Sequence, residues 1–298
     1  MQIEKAKEFI KESARPLELA LYQYFYEGGA KQRVLEELAK YQNEDGGFGH
    51  GLEADNWNPN SNPIATNDAL IILHRISALD ECDDILQGMI RYLSSGDSFD
   101  GEERRWLFAI DSNKDYPHAV WWEKEGTGIS GFNPTMSLAT FLYCYGEKST
   151  YYEEIIREGE AYLKETEDIS GDALKCFLLS YELLEEHKIE NVLDLPKLKE
   201  LLCSRIESAI CKDTEKYGVE YVPMPSDFFA GMYPEFITEE IQALITAEKA
   251  VLAGLQKEDG GFDISWKWCN EYAEFEQARN WWRPRITLDK LLFWETKF

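Results

Sequence analysis

Two seven-residue segments of this chain, Gln42-Asn43-Glu44-Asp45-Gly46-Gly47-Phe48 and Gln256-Lys257-Glu258-Asp259-Gly260-Gly261-Phe262, are the same turn written twice. Paired glycines let a chain take positive φ directly after a helix, and an aspartate can bond the backbone of its own turn. A glutamine at a helix end has an amide able to cap a neighbouring helix, while the phenylalanine ring plugs the space between helical pairs. Each copy follows an apolar helical stripe and leads through a Trp-containing loop to a proline expected to open another helix. Two copies in the same setting, near opposite ends of the chain, predict an internally repeated helical array.

The rest of the chain reads the same way. Apolar residues recur three and four apart at Val34, Leu35, Leu38 and Tyr41, at Ile85, Met89, Ile90 and Leu93, and at Leu138, Phe141, Leu142 and Tyr145. Leu174, Phe177, Leu178, Tyr181 and Leu184 form another such stripe, and Ile241, Leu244, Ile245, Val251, Leu252 and Leu255 a further one. This is helix spacing, and about ten to twelve helices joined in hairpins are expected. Pro16, Pro63, Pro134, Pro196 and Pro284 each precede a stripe, where a proline costs no helical hydrogen bond; Asn62 or Ser61, and Asn133, are placed as N-caps. Long irregular stretches are expected at roughly 95 to 131 and 213 to 236. Val219 to Val222 is the only short β candidate. With no linker in sight, one all-α domain is expected over residues 1–298.

The repeated turn resembles the Gln-rich glycine–aromatic motif of the α/α-toroid superfamily of terpenoid cyclases and protein prenyltransferase β subunits. The resemblance is sharp over about 42 to 76 and 255 to 293 and compositional between them. It implies an α/α toroid, with helical hairpins ringed about a central cavity and any active site at the cavity mouth. The catalytic residues of that superfamily do not carry over. Asp80-Glu81-Cys82-Asp83-Asp84 has the wrong spacing for the Asp-x-Asp-Asp acid of class II cyclases and sits where a solvated turn is expected. The zinc-holding Asp, Cys and His of the prenyltransferases cannot be assembled from four histidines and scattered cysteines.

Charge narrows the partners. Against 31 basic residues stand 56 acidic ones, a formal net charge of −25. Such a field repels phosphate backbones and anionic membranes, so nucleic acid is excluded as a partner. No run approaches the ~18 apolar residues of a membrane span, and the charged, amphipathic stretch from Met1 to Lys11 is unlike a signal peptide. No stable membrane insertion and a cytoplasmic location are therefore expected. The six cysteines lie far apart and read as reduced core thiols.

Two regions offer chemistry. After the first turn comes Gly49-His50-Gly51-Leu52-Glu53-Ala54-Asp55-Asn56-Trp57, in which His50, Glu53 and Asp55 are close enough to converge on one ligand. A histidine beside carboxylates can act as a general acid or base near neutral pH, so these three are the catalytic candidates. The structural alternative is that Glu53 and Asp55 cap helices while His50 bonds a carbonyl. His118, Trp121, Trp122, Trp266, Trp281 and Trp282 lie in what read as polar, glycine-rich loops and suit an apolar cavity wall or a sugar-stacking platform. Arg283 and Arg285 stand out in so acidic a chain and could hold a diphosphate or carboxylate. His74 and His187 fall on helices and read as structural. No phosphate loop, Gly-x-Ser-x-Gly elbow or His-Glu-x-x-His is present, and no motif assigns a cofactor or metal.

The leading expectation is a prenyltransferase- or terpene-cyclase-like protein binding an apolar, isoprenoid-like small molecule in the toroid cavity. A carbohydrate-active enzyme, lyase or glycosidase, on the same scaffold is the second, because tryptophan platforms and clustered carboxylates suit sugars. A non-catalytic interaction module is the third.

Overall fold

A computed structural model describes residues 1–296. Within them are twelve α-helices: α1 (Ile3–Ser13), α2 (Pro16–Tyr26), α3 (Lys31–Leu38), α4 (Pro63–Arg75), α5 (Asp83–Ser94), α6 (Thr135–Tyr145), α7 (Thr150–Glu165), α8 (Gly171–Glu186), α9 (Leu195–Ala209), α10 (Pro225–Phe229), α11 (Glu239–Leu255) and α12 (Phe275–Glu295). The fold class is all-α, and no described helix is long and apolar enough to cross a membrane. One antiparallel hairpin interrupts the helices, β1 (Phe99–Asp100) against β2 (Arg105–Trp106), with Phe99 opposite Trp106. It falls inside the expected irregular stretch, whereas Val219 to Val222 forms no strand. Asp100 makes the turn by accepting the N–H groups of Glu102 and Glu103, a local bond that outweighs weak strand propensity. The chain divides into two compact units, Tyr41–Ala209 and the two chain ends Met1–Lys40 with Ile210–Phe298.

In the unit Tyr41–Ala209, helices alternate in character. On α6, nine consecutive residues from Thr135 to Tyr143 are buried. Such a helix, apolar all round, must be surrounded, and α6 packs against α5, α7 and α8. By contrast, α5 and α7 bury single stripes: Ile85, Leu86, Met89, Tyr92 and Leu93 on one, Ile155, Ile156, Gly159 and Leu163 on the other. Packing of α6 on α8, two elements along the chain, and of α8 on α9 completes the layer. Polar side chains tie the N-terminal halves of α4, α6 and α8 together. Ser137 donates to Asn67 Oδ1 at 2.5 Å, Asn67 Nδ2 to Cys176 Sγ at 3.9 Å, and the Cys176 thiol to Asn133 Oδ1 at 3.5 Å. Burial pushes that thiol up to about 12, which keeps it a hydrogen-bonding neutral group.

The other unit is built from both ends of the chain, with α1 packed on α12, α12 on α2 and α10, and α10 on α11. Its centre holds a fully buried ionic cluster. Lys290 Nζ on α12 lies 2.8 Å from Glu248 Oε1 on α11 and 2.5 Å from Ser226 Oγ, and the Ser226 N–H donates to Glu248 Oε2 at 2.8 Å. Exposures of 0% for Glu248 and 4% for Lys290 make this a strut and not a solvent-facing site.

The repeated turn is built alike in both units. Gln42 Nε2 donates to Gly46 O inside its own turn and to Ile85 O on α5; Gln256 Nε2 donates to Gly260 O and to Gln2 O at the start of α1. Asp45 and Asp259 accept from Gly47 N and Gly261 N, at 2.9 and 3.0 Å. Phe48 N and Phe262 N donate to Thr66 on α4 and Thr287 on α12. Gly46, with φ +99°, lies so near Gly88 that a Cβ would strike its carbonyl, and Gly260, with φ +94°, meets Lys5 O in the same way. The next glycines, Gly47 and Gly261, lie against Tyr92 and Phe9. Ile85, Gly88 and Tyr92 on α5 therefore have the spacing and partners of Gln2, the residue before α1, and of Lys5 and Phe9 on α1. The pair α4 and α5 is matched by the pair α12 and α1, the last helix of the chain followed by the first.

Sequence expectations at helix starts divide. Pro16 and Pro63 open α2 and α4, and Asn62 Oδ1 caps Ala65 N at 2.8 Å. Pro284, expected to open a helix, sits inside α12, which begins at Phe275. Burial of Pro284, Thr287, Leu288 and Leu291 on one face carries the helix through the position where Pro284 has no N–H to donate. Asn133 precedes the cap residue Pro134 of α6 and bonds Cys176 instead.

Two measurements check this account. Gly46→Ala and Gly260→Ala each lower stability to urea by about 2 kcal/mol or more, whereas Gly254→Ala, on α11 with open space around it, is neutral or mildly stabilising. Equal unfolding midpoints for the two kinds of variant would refute the docking role. Lys290→Met costs about 3–5 kcal/mol by stranding the Glu248 charge, and adding Glu248→Leu restores most of it.

Candidate functional site

In the unit Tyr41–Ala209, long loops precede α4 and α6 at residues 42–62 and 95–134, while α8 follows a short connection at 166–170. The two long loops pair with each other. Asn56 and His118 form an antiparallel bridge, Trp57 N donates to Pro117 O at 3.0 Å, and Ala119 N donates to Asp55 O at 2.9 Å. Three asparagines lock the pairing: Asn58 Nδ2 donates to Ser112 Oγ and Asn113 Oδ1, Asn56 Nδ2 donates to Asn113 Oδ1, and Asn113 Nδ2 donates to Trp122 O. All three are buried, so their amides do inside the protein what water does outside it. Gly49 lets the first loop close on itself, since a Cβ there would meet the carbonyls of Pro59 and Asn60.

The three catalytic candidates sit on this frame in different states. His50 is exposed, takes φ +56°, and bonds Asn43 Oδ1 through Nε2 at 2.8 Å, which ties it to the repeated turn. Glu53 is half-buried and accepts the Asp55 N–H at 3.2 Å. Asp55 is 2% exposed. His118 is buried and its Nδ1 lies 2.6 Å from Tyr116 O. A carbonyl only accepts, so Nδ1 carries the proton in this bond. Glu53 is thus the carboxylate of this group with access to solvent, and Asp55 and His118 are buried in the frame.

The aromatic candidates also separate. Trp121 is half-buried, as is Trp57, whose indole N–H donates to Ala54 O at 3.0 Å. Trp122 is a core ring, 5% exposed and stacked on Phe108 with centroids 4.7 Å apart. His74 lies 3.5 and 3.4 Å from Glu182 and Glu186, and His187 packs edge-on against Tyr145. Asp80, Glu81, Asp83 and Asp84 are all exposed, with the last two in the first turn of α5 where the helix dipole favours acid.

The remaining candidates belong to the unit of the chain ends. Trp281, Trp282 and Arg283 lie on α12, not in a loop, because the helix runs through Pro284. Arg15, held by Glu18 at 2.5 and 3.0 Å, lies over the Trp281 ring with 5.3 Å to its centroid. Trp266 packs edge-on to Trp282. The Arg283 guanidinium meets both oxygens of Asp259 at 2.8 Å and lies 4.6 Å from the Phe9 ring centre, so its charge is spent on the repeated turn. Arg279 is likewise bound to Asp263.

Among the described residues no three His, Cys, Asp or Glu side chains gather as a metal site. Sequence reasoning passed over Asn56, Asn58 and Asn113, the residues that hold the frame; the signal available was Asn56-Trp57-Asn58-Pro59-Asn60, polar and rigid in a loop too long to be a simple connection.

The Asp259 carboxyl is pushed up by burial, yet the Arg283 guanidinium and the Gly261 N–H hold it below the usual carboxylate range. A carboxyl lowered in the folded state adds stability that is complete above its unfolded value of about 4 and disappears as pH falls through the folded value. Arg283→Met therefore separates from wild type most at pH 7 in urea unfolding, and the gap narrows below about pH 4; a gap independent of pH would show that the pair does not carry the effect. Comparison of the chain with protein-family models, curated proteins and solved structures finds no match.

Proposed function

We propose that the protein is a carbohydrate-active enzyme on an α/α toroid, taking a neutral polyhydroxylated ligand where the long loops open α4 and α6. In this reading the helices that are apolar all round form an inner ring and the amphipathic ones an outer ring, as in the terpenoid cyclase and prenyltransferase superfamily that the repeated turn resembles. Support for the ring comes from packing between alternate helices, α6 on α8, α10 on α12 and α12 on α2, and from the match of α12 and α1 to α4 and α5.

The observation that favours a sugar is the mounting of the half-buried Trp57 and Trp121 on a frame of buried asparagines, with the solvent-reaching Glu53 on the same frame. Flat indole faces stack on pyranose rings, and a rigid mount lowers the entropy cost of binding. An isoprenoid diphosphate is less well served. The net charge of −25 opposes a polyanion, and Arg283, expected to receive the diphosphate, is held by Asp259. Glu53 is the proton-handling carboxylate, with Asp55 and His118 positioning the loops around it.

Titration calorimetry against neutral β- and α-linked oligosaccharides, with geranylgeranyl diphosphate beside them, tests the reading. Binding of at least one oligosaccharide is expected, weakened about tenfold by Trp121→Ala. Glu53→Gln leaves that affinity in place and lowers turnover about 100-fold or more. Heat from the diphosphate and none from any saccharide would replace this reading with the isoprenoid one.

A further inference from the structure

Three aromatic side chains in the unit of the chain ends have no role in the reading above. Tyr221 lies ahead of α10, Trp266 in the loop after the second repeated turn, and Trp282 on α12. Trp266 stands nearly perpendicular to both of the others, at 79° to Tyr221 with centroids 5.5 Å apart and at 83° to Trp282 with centroids 5.4 Å apart. Core packing does not explain the group. Tyr221 is 66% exposed and its neighbour Val219 71%, whereas Trp268, two residues beyond Trp266, is 1% exposed and packs against Phe275.

Perpendicular rings set corners in which more than one π-face borders the same space, and each face carries the negative end of the ring quadrupole. One cation already uses such a face: the Arg285 guanidinium lies 4.9 Å from the Trp282 ring centre. The net charge of −25 raises the local concentration of cations over that of neutral or anionic solutes. An ammonium group bearing methyls instead of N–H donors cannot hydrogen-bond a carboxylate, so ring faces become its close partners.

We propose that Tyr221, Trp266 and Trp282 form an aromatic cage for a quaternary ammonium group, with Arg285 as an internal cation that shares the Trp282 face. The site lies within one unit of the chain and does not depend on the saccharide reading. Arg285 competes for one wall and adds a like charge, so it sets the affinity below that of an open cage. The natural ligand is then a choline-type small molecule or a trimethylated lysine of a peptide, which share the same head.

Tetramethylammonium chloride, titrated into the full chain while indole fluorescence is read, tests this. Sodium chloride at equal ionic strength and 3,3-dimethylbutan-1-ol, the uncharged isostere of choline, serve as controls. A saturable response to tetramethylammonium alone is expected. Trp266→Ala weakens it about fivefold or more, Trp266→Phe keeps most of it, and Arg285→Ala tightens it about threefold. Far-UV circular dichroism and melting temperature matching wild type confirm that each variant is folded. A response to the neutral alcohol equal to that of the ammonium ion, no saturable response, or an Arg285→Ala variant that binds more weakly would each overturn the proposal. Choline and a trimethyllysine peptide, compared afterwards, identify which source of the head group binds tighter.

Discussion

Close approach of backbone to backbone at a glycine is what the architecture turns on. At Gly46 the chain passes so near α5 that no side chain fits between, and at Gly260 it passes α1 in the same way. A positive φ is needed at both positions for the glutamine four residues earlier to fold back and bond Gly46 O or Gly260 O. The same amide then reaches a carbonyl on the neighbouring helix, so one side chain fixes the shape of the turn and its docking partner together. Aspartate, threonine and phenylalanine complete the lock from three other directions. Because the partner of the second copy is α1, the chain ends meet through bonds of the kind used at the first copy between residues 43 positions apart.

That constraint was legible from residue types because it is local: two glycines, an aspartate and an aromatic state their own backbone geometry. The helices were legible too, since a stripe of apolar residues is a property of a short window. Pro284 shows where a window fails. A local rule placed it at a helix start, and a buried face of Pro284, Thr287, Leu288 and Leu291 overrode the rule with packing that no window reports. The asparagine frame failed for another reason, since Asn58 meets Asn113 across 55 residues and nothing in either loop names the other. Lys290 and Glu248 are 42 residues apart and buried, in a chain whose many acids gave no reason to single one out.

The hairpin at Phe99 and Trp106 belongs to the same class of surprise. Two residues a side is too short for an alternating pattern to register, and its stability comes from elsewhere. Asp100 fixes the turn, Phe99 and Trp106 pack edge to face, and the Trp106 N–H donates to Thr135 at the start of α6. The loop ahead of α6 is therefore anchored near one end by the hairpin and midway by the asparagines. A long loop held at two points behaves as part of the scaffold, which is what a binding surface on it requires.

Charge ties these observations together. With 56 acidic residues against 31 basic ones, several arginines near the candidate sites are taken up by acids. Arg283 and Arg279 are held by Asp259 and Asp263, and Arg15 by Glu18. Guanidinium groups so placed also cover aromatic faces, Arg15 over Trp281 and Arg283 over Phe9. Anion recognition by these residues would have to break an existing ion pair in a field that already repels the incoming ligand. Neutral and cationic ligands meet neither obstacle, and the aromatic faces suit both kinds: indoles stack on sugars and attract ammonium groups through the same electron-rich surface. Arg279 and Arg283 are in this way already committed to the acids of the second repeated turn and the loop that follows it.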